Sequence, residues 1–355
     1  MQKELKYLVL LMLLFVSCQQ IYQPSIDHVA GNLVVEALIT NDMSRNYVQL
    51  TKTRAFNDQV QLPDVSGATV QLIQTGGGTI QATESTAGLY LFKSVPVSGN
   101  SYKLRIVVSP DTYESEVVTM PPLPSMTNFY TTNVVQKVYV NNGGTVPQAV
   151  VKDMREIDAD LPVTSSLSHY RFDVRSVLEW TWDSIPGRYH TAFGWNSYNS
   201  NNQFILAGTP DFSQATALVK QPLLTVSYNA LDYLYSDTLV SHGWILIVEQ
   251  YGTSAGSFSY HQQLNSQFAA TGSMFDPIQT QIYGNIKCKT DSSKIAYGYF
   301  DLNSCQQVRY YLNLTSPTST INLRQIFQYP DIPDHGVIRA RKSNPVVAQP
   351  SWWTE

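Results

Sequence analysis

The chain has 355 residues, of which 14% are charged, and its formal net charge at pH 7 is −4. A soluble globular protein usually carries about 25% charged residues, so much of this surface must be built from uncharged polar side chains. The absence of a basic or acidic block argues against electrostatic binding of nucleic acid or of a membrane surface. The length allows two domains, and the 22 Tyr and six Trp favour β-sheets, where aromatic side chains pack well.

The N-terminus has the features of an export signal. Lys3 and Lys6 precede an apolar run over residues 7–16, which is too short for a bilayer span of about 20 residues. Ser17-Cys18 follows, and a small residue before a cysteine resembles the bacterial lipoprotein signal, in which cleavage exposes a cysteine that is then acylated. We therefore expect a signal peptide over 1–17, lipidation of Cys18 and a tether over 18–31. A plain signal peptide with an incidental cysteine is the alternative.

Short alternating segments with turn signals between them recur from residue 32 to residue 120. Their spacing predicts an N-terminal β-sandwich of immunoglobulin or transthyretin-like type. The prolines of Met120-Pro-Pro-Leu-Pro124 cannot continue a strand ladder, so residues 121–127 are predicted to be a linker. The predicted strands are Leu33–Thr40, Tyr47–Thr53, Ala68–Ile73, Thr79–Thr83, Leu89–Phe92, Ser101–Val108 and Tyr113–Thr119.

Residues 128–355 are predicted to form a larger β-rich C-terminal domain with one short helix, so the fold class is mainly β. The helix, from Ser257 to about Ala270, places Phe258, Leu264 and Phe268 on one face, where we expect them to be buried. On that expectation, Phe268→Ala would unfold this domain and leave the sandwich folded. The predicted strands are Asn128–Val140, Gln148–Asp153, His169–Trp182, Leu224–Tyr228, Thr238–Val248, Gln279–Lys289, Lys294–Asp301 and Val308–Leu314, with the two after the helix forming a hairpin.

No catalytic motif, metal-ligand spacing or cofactor fingerprint appears, so no catalytic residue, metal or cofactor is predicted. His261, on the apolar face of the helix, is expected to be a hydrogen-bonded packing residue. An acidic cluster formed by Asp153, Glu156, Asp158 and Asp160 lacks the pattern of an EF-hand, which favours a solvated loop over a calcium site.

Aromatic residues give the best candidate ligand surface. Trp180 and Trp182 share the apolar face of a predicted strand, which favours the core. Trp195 and Tyr198 adjoin a polar loop predicted over Asn196–Asn202, so they are the candidate ligand-binding residues, able to stack on a ring. Core packing is the alternative for this pair as well.

Cys288 and Cys305 would remain if Cys18 is lipidated, and an exported protein with two further cysteines invites a disulfide. The predicted hairpin register places them about 23 Å apart, at about 3.3 Å per residue. A disulfide requires Cα atoms within about 7 Å. The register therefore argues against a bridge without deciding the question.

An ordered set of short motifs resembles a known family. After Phe15-Val-Ser-Cys18 come Leu33-Val-Val-Glu-Ala37, Val65-Ser-Gly-Ala-Thr-Val70 and Gly88-Leu-Tyr90; further motifs, from Val248 onwards, are Val248-Glu-Gln-Tyr251, Gly272-Ser-Met-Phe-Asp-Pro277, Gly284-Asn285 and Ala296-Tyr-Gly-Tyr-Phe300. Together they resemble the DUF4249 family of Bacteroidota lipoproteins over nearly the whole chain. The resemblance implies a cell-envelope lipoprotein, encoded beside TonB-dependent outer-membrane receptors, with no catalytic residues to transfer.

These observations lead to a functional expectation. The protein is expected to be a non-enzymatic, outer-membrane-anchored lipoprotein that assists a TonB-dependent receptor in ligand capture or uptake, on either face of the membrane. A structural or adhesive envelope protein that binds a partner protein is the alternative. A glycan hydrolase is least favoured, because Asp173 and Glu179, six positions apart on one predicted strand, would lie about 20 Å apart, beyond the 5–10 Å that the reaction requires.

Overall fold

A computed structural model describes residues 31–54, 62–125, 128–140, 148–185, 188–199, 204–209, 216–227, 239–270, 281–313 and 324–325. Cys18, the signal peptide and almost all of the tether lie outside these ranges, as does the chain from residue 326. Within them the fold is mainly β, with several antiparallel sheets and one α-helix, which confirms the predicted fold class. No helix in the described ranges has the length and apolar character needed to span a bilayer.

Two sheets enclose the first hydrophobic core. Sheet I has the strand order β18-β1-β2-β6-β5, and sheet II has the order β17-β8-β7-β3-β4, with β9 also paired to β7. The strands are β1 (Leu33–Ile39), β2 (Tyr47–Lys52), β3 (Thr69–Gln74), β4 (Thr79–Gln81), β5 (Thr83–Thr86), β6 (Leu89–Leu91), β7 (Ser101–Val108), β8 (Asp111–Ser115), β9 (Val118–Thr119), β17 (Ile286–Cys288) and β18 (Ala296–Leu302).

Sequence alternation explains these strands. In β1, Leu33, Val35, Ala37 and Ile39 are buried and the residues between them are not, as a strand with one buried face requires. β7 alternates in the same way. The inward side chains of both sheets form one core. The finer prediction of an immunoglobulin or transthyretin-like topology stays a prediction.

The last two strands of this sandwich come from far along the chain. β18 pairs in parallel with β1, from Leu33↔Ala296 to Ile39↔Leu302, and β17 pairs with β8. Phe300 and Leu302 are buried in the first core. The prediction that residues 128–355 form a separate domain is therefore wrong for residues 286–302. The predicted hairpin is also wrong, because β17 and β18 lie in different sheets and meet at a single bridge, Lys287↔Ile295.

Two further sheets enclose a second core. Sheet III has the order β10-β11-β15, and sheet IV has the order β13-β12-β16-β19-β20, with β14 also paired to β12. Residues from both sheets, including Phe129, Ile157, Phe172 and Val248, pack together. The strands are β10 (Asn128–Val140), β11 (Gln148–Pro162), β12 (His169–Ile185), β13 (Arg188–Asn199), β14 (Ile205–Gly208), β15 (Ala217–Ser227), β16 (Leu239–Thr253), β19 (Ser304–Asn313) and β20 (Arg324–Gln325).

The α-helix, α1 (Ala255–Phe268), starts earlier than predicted. Ser254 is its N-cap, and its side-chain oxygen accepts a hydrogen bond from the amide of Ser257. Its buried residues are Ser257 and His261; Phe258 and Leu264 are half-buried, and Phe268 is 55% exposed. The expected burial of Phe268 is wrong, and with it the expectation that Phe268→Ala unfolds half of the protein. The predicted face contains the buried His261, but the spacing overestimated the burial of the apolar residues, because the fully buried residues of the helix are polar.

Backbone segments approach closely where β18 joins β1. Gly298 has a φ of +88°, and a Cβ there would lie 1.9 Å from the carbonyl oxygen of Val35. A Cβ on Gly284 would lie 1.5 Å from the carbonyl oxygen of Gly298. The side chain of Asn285 donates a hydrogen bond from Nδ2 to the Phe300 carbonyl oxygen (3.0 Å). Its Oδ1 accepts one from the backbone N–H of Phe300 (2.8 Å). Because Gly284 and Gly298 have no Cβ, the backbone of β18 can approach β1 closely enough to pair with it.

We expect Gly298→Ala to destabilise the protein far more than Gly99→Ala. Gly99 has a similar φ of +83° with nothing within 4 Å of its added Cβ, so its substitution costs about 1–2 kcal/mol of backbone strain. Gly298→Ala adds a clash with fixed backbone, worth about 1–3 kcal/mol more. Thermal unfolding midpoints of the two variants measure the difference, and equal midpoints would show that β18 does not approach β1 this closely.

Candidate functional site

The face of sheet IV turned away from the second core carries polar side chains. Alternation along β12 and β16 places Arg171 opposite Tyr251 and Asp173 opposite Glu249. β19 continues the row, with Cys305 opposite Tyr251. This face meets the sandwich and helix α1, so charged residues from distant parts of the chain come together here.

Four of these residues form a buried cluster, which we call the polar clamp: Arg171, Ser257, His261 and Asp301. Arg171 Nη1 donates to Asp301 Oδ2 at 2.9 Å, and both side chains are less than one-tenth exposed. Ser257 Oγ donates to the other carboxylate oxygen, Oδ1, at 2.5 Å. The Arg171 guanidinium also lies over the ring of Tyr251, 4.4 Å from its centroid. The clamp therefore joins β12, α1 and β18.

The residue types of the clamp are those of a serine hydrolase, but their hydrogen bonds are not. Arg171 Nη1 lies 3.2 Å from His261 Nε2, and since a guanidinium can only donate, Nε2 must accept. The proton of neutral His261 is then on Nδ1, which donates to the Ser257 carbonyl at 2.9 Å. The Ser257 hydroxyl is 3.5 Å from this protonated nitrogen and donates to Asp301 instead. A general base must accept the serine proton, so this arrangement does not activate Ser257. The expectation that His261 is a hydrogen-bonded packing residue is confirmed.

A second set of contacts joins the β1–β2 loop to sheet IV. Arg45 forms an ion pair with Glu249, which also accepts hydrogen bonds from Tyr251 and Gln307. Burial alone would raise the pKa of Glu249, but these bonds, led by that from Arg45, hold it below the usual value. The Asn41 side chain donates to the Cys305 carbonyl (3.0 Å) and accepts from the Cys305 amide (2.6 Å).

The two carboxylates considered for glycan hydrolysis, Asp173 and Glu179, are not paired with each other in the sheet. Asp173 and Glu179 lie on the one strand β12, six positions apart, as the sequence predicts. Asp173 instead faces Glu249 in register. Glu249 is held by three side-chain partners and has a lowered pKa, which is opposite to what a general acid requires.

Cys288 and Cys305 are both buried and both free. Cys288 pairs in register with Tyr113 in sheet II, whereas Cys305 faces Tyr251 in sheet IV. Burial raises the pKa of the Cys305 thiol to about 12, so it is not a nucleophile at neutral pH. The register used to argue against a disulfide was incorrect, but the two cysteines lie in different sheets and are not bonded to each other.

The acidic cluster lies in strand β11, not in a solvated loop. Asp158 is fully buried and accepts from Thr132 Oγ1 at 2.5 Å. Asp160 accepts from Tyr130 (3.1 Å) and from the backbone amide of Lys220 (2.9 Å). Alternation along the strand places Glu156, Asp158 and Asp160 on one face and Asp153 on the other. Among the residues that the structure describes, no group of His, Cys, Asp and Glu is arranged to hold a metal ion.

Trp195 and Tyr198 lie in strand β13, where they pair with Glu179 and Ser176. The polar loop predicted from Asn196 is wrong, because β13 continues to Asn199. Their side chains, and those of Trp180 and Trp182, lie outside the described part of the structure, so their role in ligand binding stays a prediction.

An open groove of about 540 Å³ lies on the outer face of sheet I. Two carboxylates of its lining already accept hydrogen bonds, Glu36 from Tyr47 and Asp64 from Gln49. The groove-lining residues are Val34, Glu36, Gln49, Thr51, Leu62, Asp64, Thr86 and Ala87. No nucleophile-base pair is present among them.

Strands β10 and β11 extend beyond the rest of sheet III. They pair with each other from Asn128↔Asp160 to Val140↔Gln148, whereas β15 covers β11 only from Met154 onwards. Residues 135–140 and 148–153 thus form a two-stranded ribbon about 20 Å long, without a third strand in the described part of the chain. Val135, Tyr139 and Val151 are 67%, 71% and 67% exposed on it. Large apolar side chains grouped on a projecting element are typical of an interaction surface.

Comparison with known proteins gives one match. A family model described as "Domain of unknown function (DUF4249)" matches residues 20–308, which is more than half of the chain. No curated protein and no solved structure matches the chain. The matched range covers the first core, the polar clamp and all of the second core except Tyr310.

We expect Asp301→Ala to destabilise the protein by about 3–5 kcal/mol, because it leaves the Arg171 charge buried without its partner. Glu116→Ala is the matched control: Glu116 pairs with Lys287 at 3.5 Å, but the two side chains are 64% and 71% exposed. An exposed pair contributes at most about 1 kcal/mol. Denaturant or thermal midpoints check the contrast, and similar midpoints for the two variants would mean that the clamp does not hold the structure together.

Proposed function

Since the chain belongs to the DUF4249 family, whose description assigns no activity, we propose its function from its own residues. We propose that the protein is a non-enzymatic lipoprotein, anchored in the outer membrane through Cys18, that assists a TonB-dependent receptor in ligand capture or uptake. The exposed β10–β11 ribbon is the observation that carries the binding role.

The anchor is supported by the N-terminal sequence. Ser17-Cys18 follows a short apolar run that is suited to an export signal. Each CH₂ group that an acyl chain buries in the membrane stabilises the attachment by about 0.8 kcal/mol, so several acyl chains on one cysteine make an attachment that does not readily dissociate.

The binding role is supported by how the described side chains are used. The residues closest to a catalytic set, Ser257, His261 and Asp301, are engaged in buried contacts that hold the fold together. The ribbon, by contrast, presents apolar side chains to solvent, and an isolated two-stranded hairpin is marginally stable in water. Contact with a partner protein would cover these side chains and stabilise the ribbon.

We expect Cys18→Ser to abolish membrane anchoring. The wild-type chain should partition into the detergent phase of a Triton X-114 separation, and the variant should move to the aqueous phase, since it has no acceptor for the lipid. Ser17→Thr, which leaves Cys18 in place, is the control for nonspecific effects of a change at the cleavage site. Recovery of Cys18→Ser in the detergent phase would contradict lipidation.

We expect charge on the ribbon to release the receptor. In the Tyr139→Lys/Val151→Lys variant, two ammonium groups replace exposed apolar contacts, so co-purification of a TonB-dependent receptor from detergent-solubilised outer membranes should be lost. Val97→Lys/Val117→Lys is the matched control, because these valines are 59% and 58% exposed on the sandwich.

Quantitative mass spectrometry of the co-purified receptor measures the outcome. Equal receptor recovery from both variants would place the contact elsewhere. Absence of any receptor from the wild-type preparation would favour the structural or adhesive alternative.

A further inference from the structure

His261 lies where α1, β12 and β18 meet, so groups from all three elements face it. From β12, Arg171 approaches Nε2 to 3.2 Å, and from β18, Asp301 lies 3.7 Å from the same nitrogen. Within α1, the Ser257 carbonyl accepts from Nδ1. The Phe204 ring packs edge-on against the imidazole at 4.5 Å. The other titratable or charged residues on these elements are His169, Tyr170, Asp173, Arg175, Glu179 and Asp183 on β12, Tyr260 on α1, and Tyr297 and Tyr299 on β18.

The two buried charges of the polar clamp balance each other while His261 is neutral. Arg171 supplies one cation and Asp301 one anion, and both oxygens of the Asp301 carboxylate already accept a hydrogen bond. Asp173, the other nearby anion, is 49% exposed and lies 3.8 Å from Arg171. A proton on Nε2 would turn the acceptor of the Arg171 hydrogen bond into a donor and would place two cations beside one buried carboxylate.

Helix α1 has few other buried contacts to hold it in place. Its buried residues are Ser257 and His261, both of which belong to the clamp. Beyond them, Tyr260 stacks on Tyr299 at 4.6 Å, and Phe258 packs on the His169 ring at 4.8 Å. Loss of the clamp would therefore weaken the main buried attachment of the helix.

We propose that His261 is a pH-sensitive switch for the docking of helix α1: its protonation releases the helix from β12 and β18. Release uncovers the outer face of sheet I around Tyr299 and Asp301, which the docked helix contacts. This switch does not depend on the proposed receptor partner, because it is built from residues of the chain itself.

The sign of the pH dependence follows from the environment of the imidazole. Burial lowers the pKa of His261 below 6.5; Asp301 opposes this change and Arg171 reinforces it. When the helix is released, His261 lies in water and has its ordinary pKa of about 6.5. Between that pKa and the lower pKa of the docked state, the released form binds more protons than the docked form. Docking is therefore complete above pH 6.5 and weakens as the pH falls, by at most tenfold per pH unit until the docked-state pKa is reached.

Hydrogen–deuterium exchange of the full-length chain at pH 7.5, 6.5 and 5.5, corrected for the intrinsic exchange rates, tests this switch. In the wild type, protection of peptides from residues 255–268 should fall by up to tenfold between pH 6.5 and 5.5, while peptides from β7 keep theirs. His261→Gln, which cannot be protonated, should remove this fall. His169→Gln is the matched control, since His169 also packs on α1 but is not one of the four clamp residues, and this variant should keep the pH-dependent fall of the wild type.

Histidine Cε1–H exchange on the wild-type chain gives an independent readout that does not depend on whether a variant folds. It should report a pKa below 6.5 for His261. The proposal is overturned by any of three results: wild-type α1 protection that is constant with pH, a fall that persists in His261→Gln, or a His261 pKa at or above 6.5.

Discussion

The ion pair between Arg171 and Asp301 fixes how the two halves of this protein meet, one half being sheets I and II around the first core and the other being sheets III and IV around the second. Asp301 follows Phe300 and precedes Leu302, both buried in the first core, and Arg171 lies between Tyr170 and Phe172, both buried in the second. The alternation that sends these neighbours into opposite cores turns the two charged side chains toward each other. Because each charge is buried, a displacement that separates them leaves both without a partner, which is strongly unfavourable. The pair thus favours one arrangement of β12 against β18.

The chain order imposes a second constraint, which the ion pair helps to satisfy. The sandwich begins at β1 but is complete only when β18 pairs with that strand, more than 250 residues later. A fragment ending at residue 120 would lack the edge strands β17 and β18 and the buried side chains of Ile286, Phe300 and Leu302. Long-range pairing of this kind is slow to form, because the chain loses the entropy of closing a long loop before the stabilising contacts are made. The sandwich therefore depends on the rest of the chain, although its other strands are contiguous.

The sequence was informative wherever structure is set locally. Alternation located β1, β7, β10 and β12 closely, since one buried face imposes a period of two. It predicted a strand over Lys294–Asp301, close to β18, but not the pairing of that strand with β1, because pairing between Leu33 and Ala296 leaves no local signal. It placed the buried His261 and the half-buried Phe258 and Leu264 on the contact face of α1, but it wrongly included Phe268, which is 55% exposed. The motif Ala296-Tyr-Gly-Tyr-Phe300 could have indicated a close backbone approach, because glycine inside a strand often marks one.

The two cores differ in composition from the contact region between them, here called the junction. The cores and the junction therefore respond differently to pH and to salt. Both cores are built almost entirely from apolar side chains, so their contribution does not change when protons bind. The junction between them instead contains ion pairs of unequal burial. Arg171–Asp301 is nearly inaccessible, whereas Arg45 and Glu249 are 22% and 13% exposed, so dissolved salt screens the second pair more than the first. His261 contacts the buried pair, so protonation of one imidazole acts on the ion pair that salt screens least. The contact between the two halves can therefore change while each core stays intact.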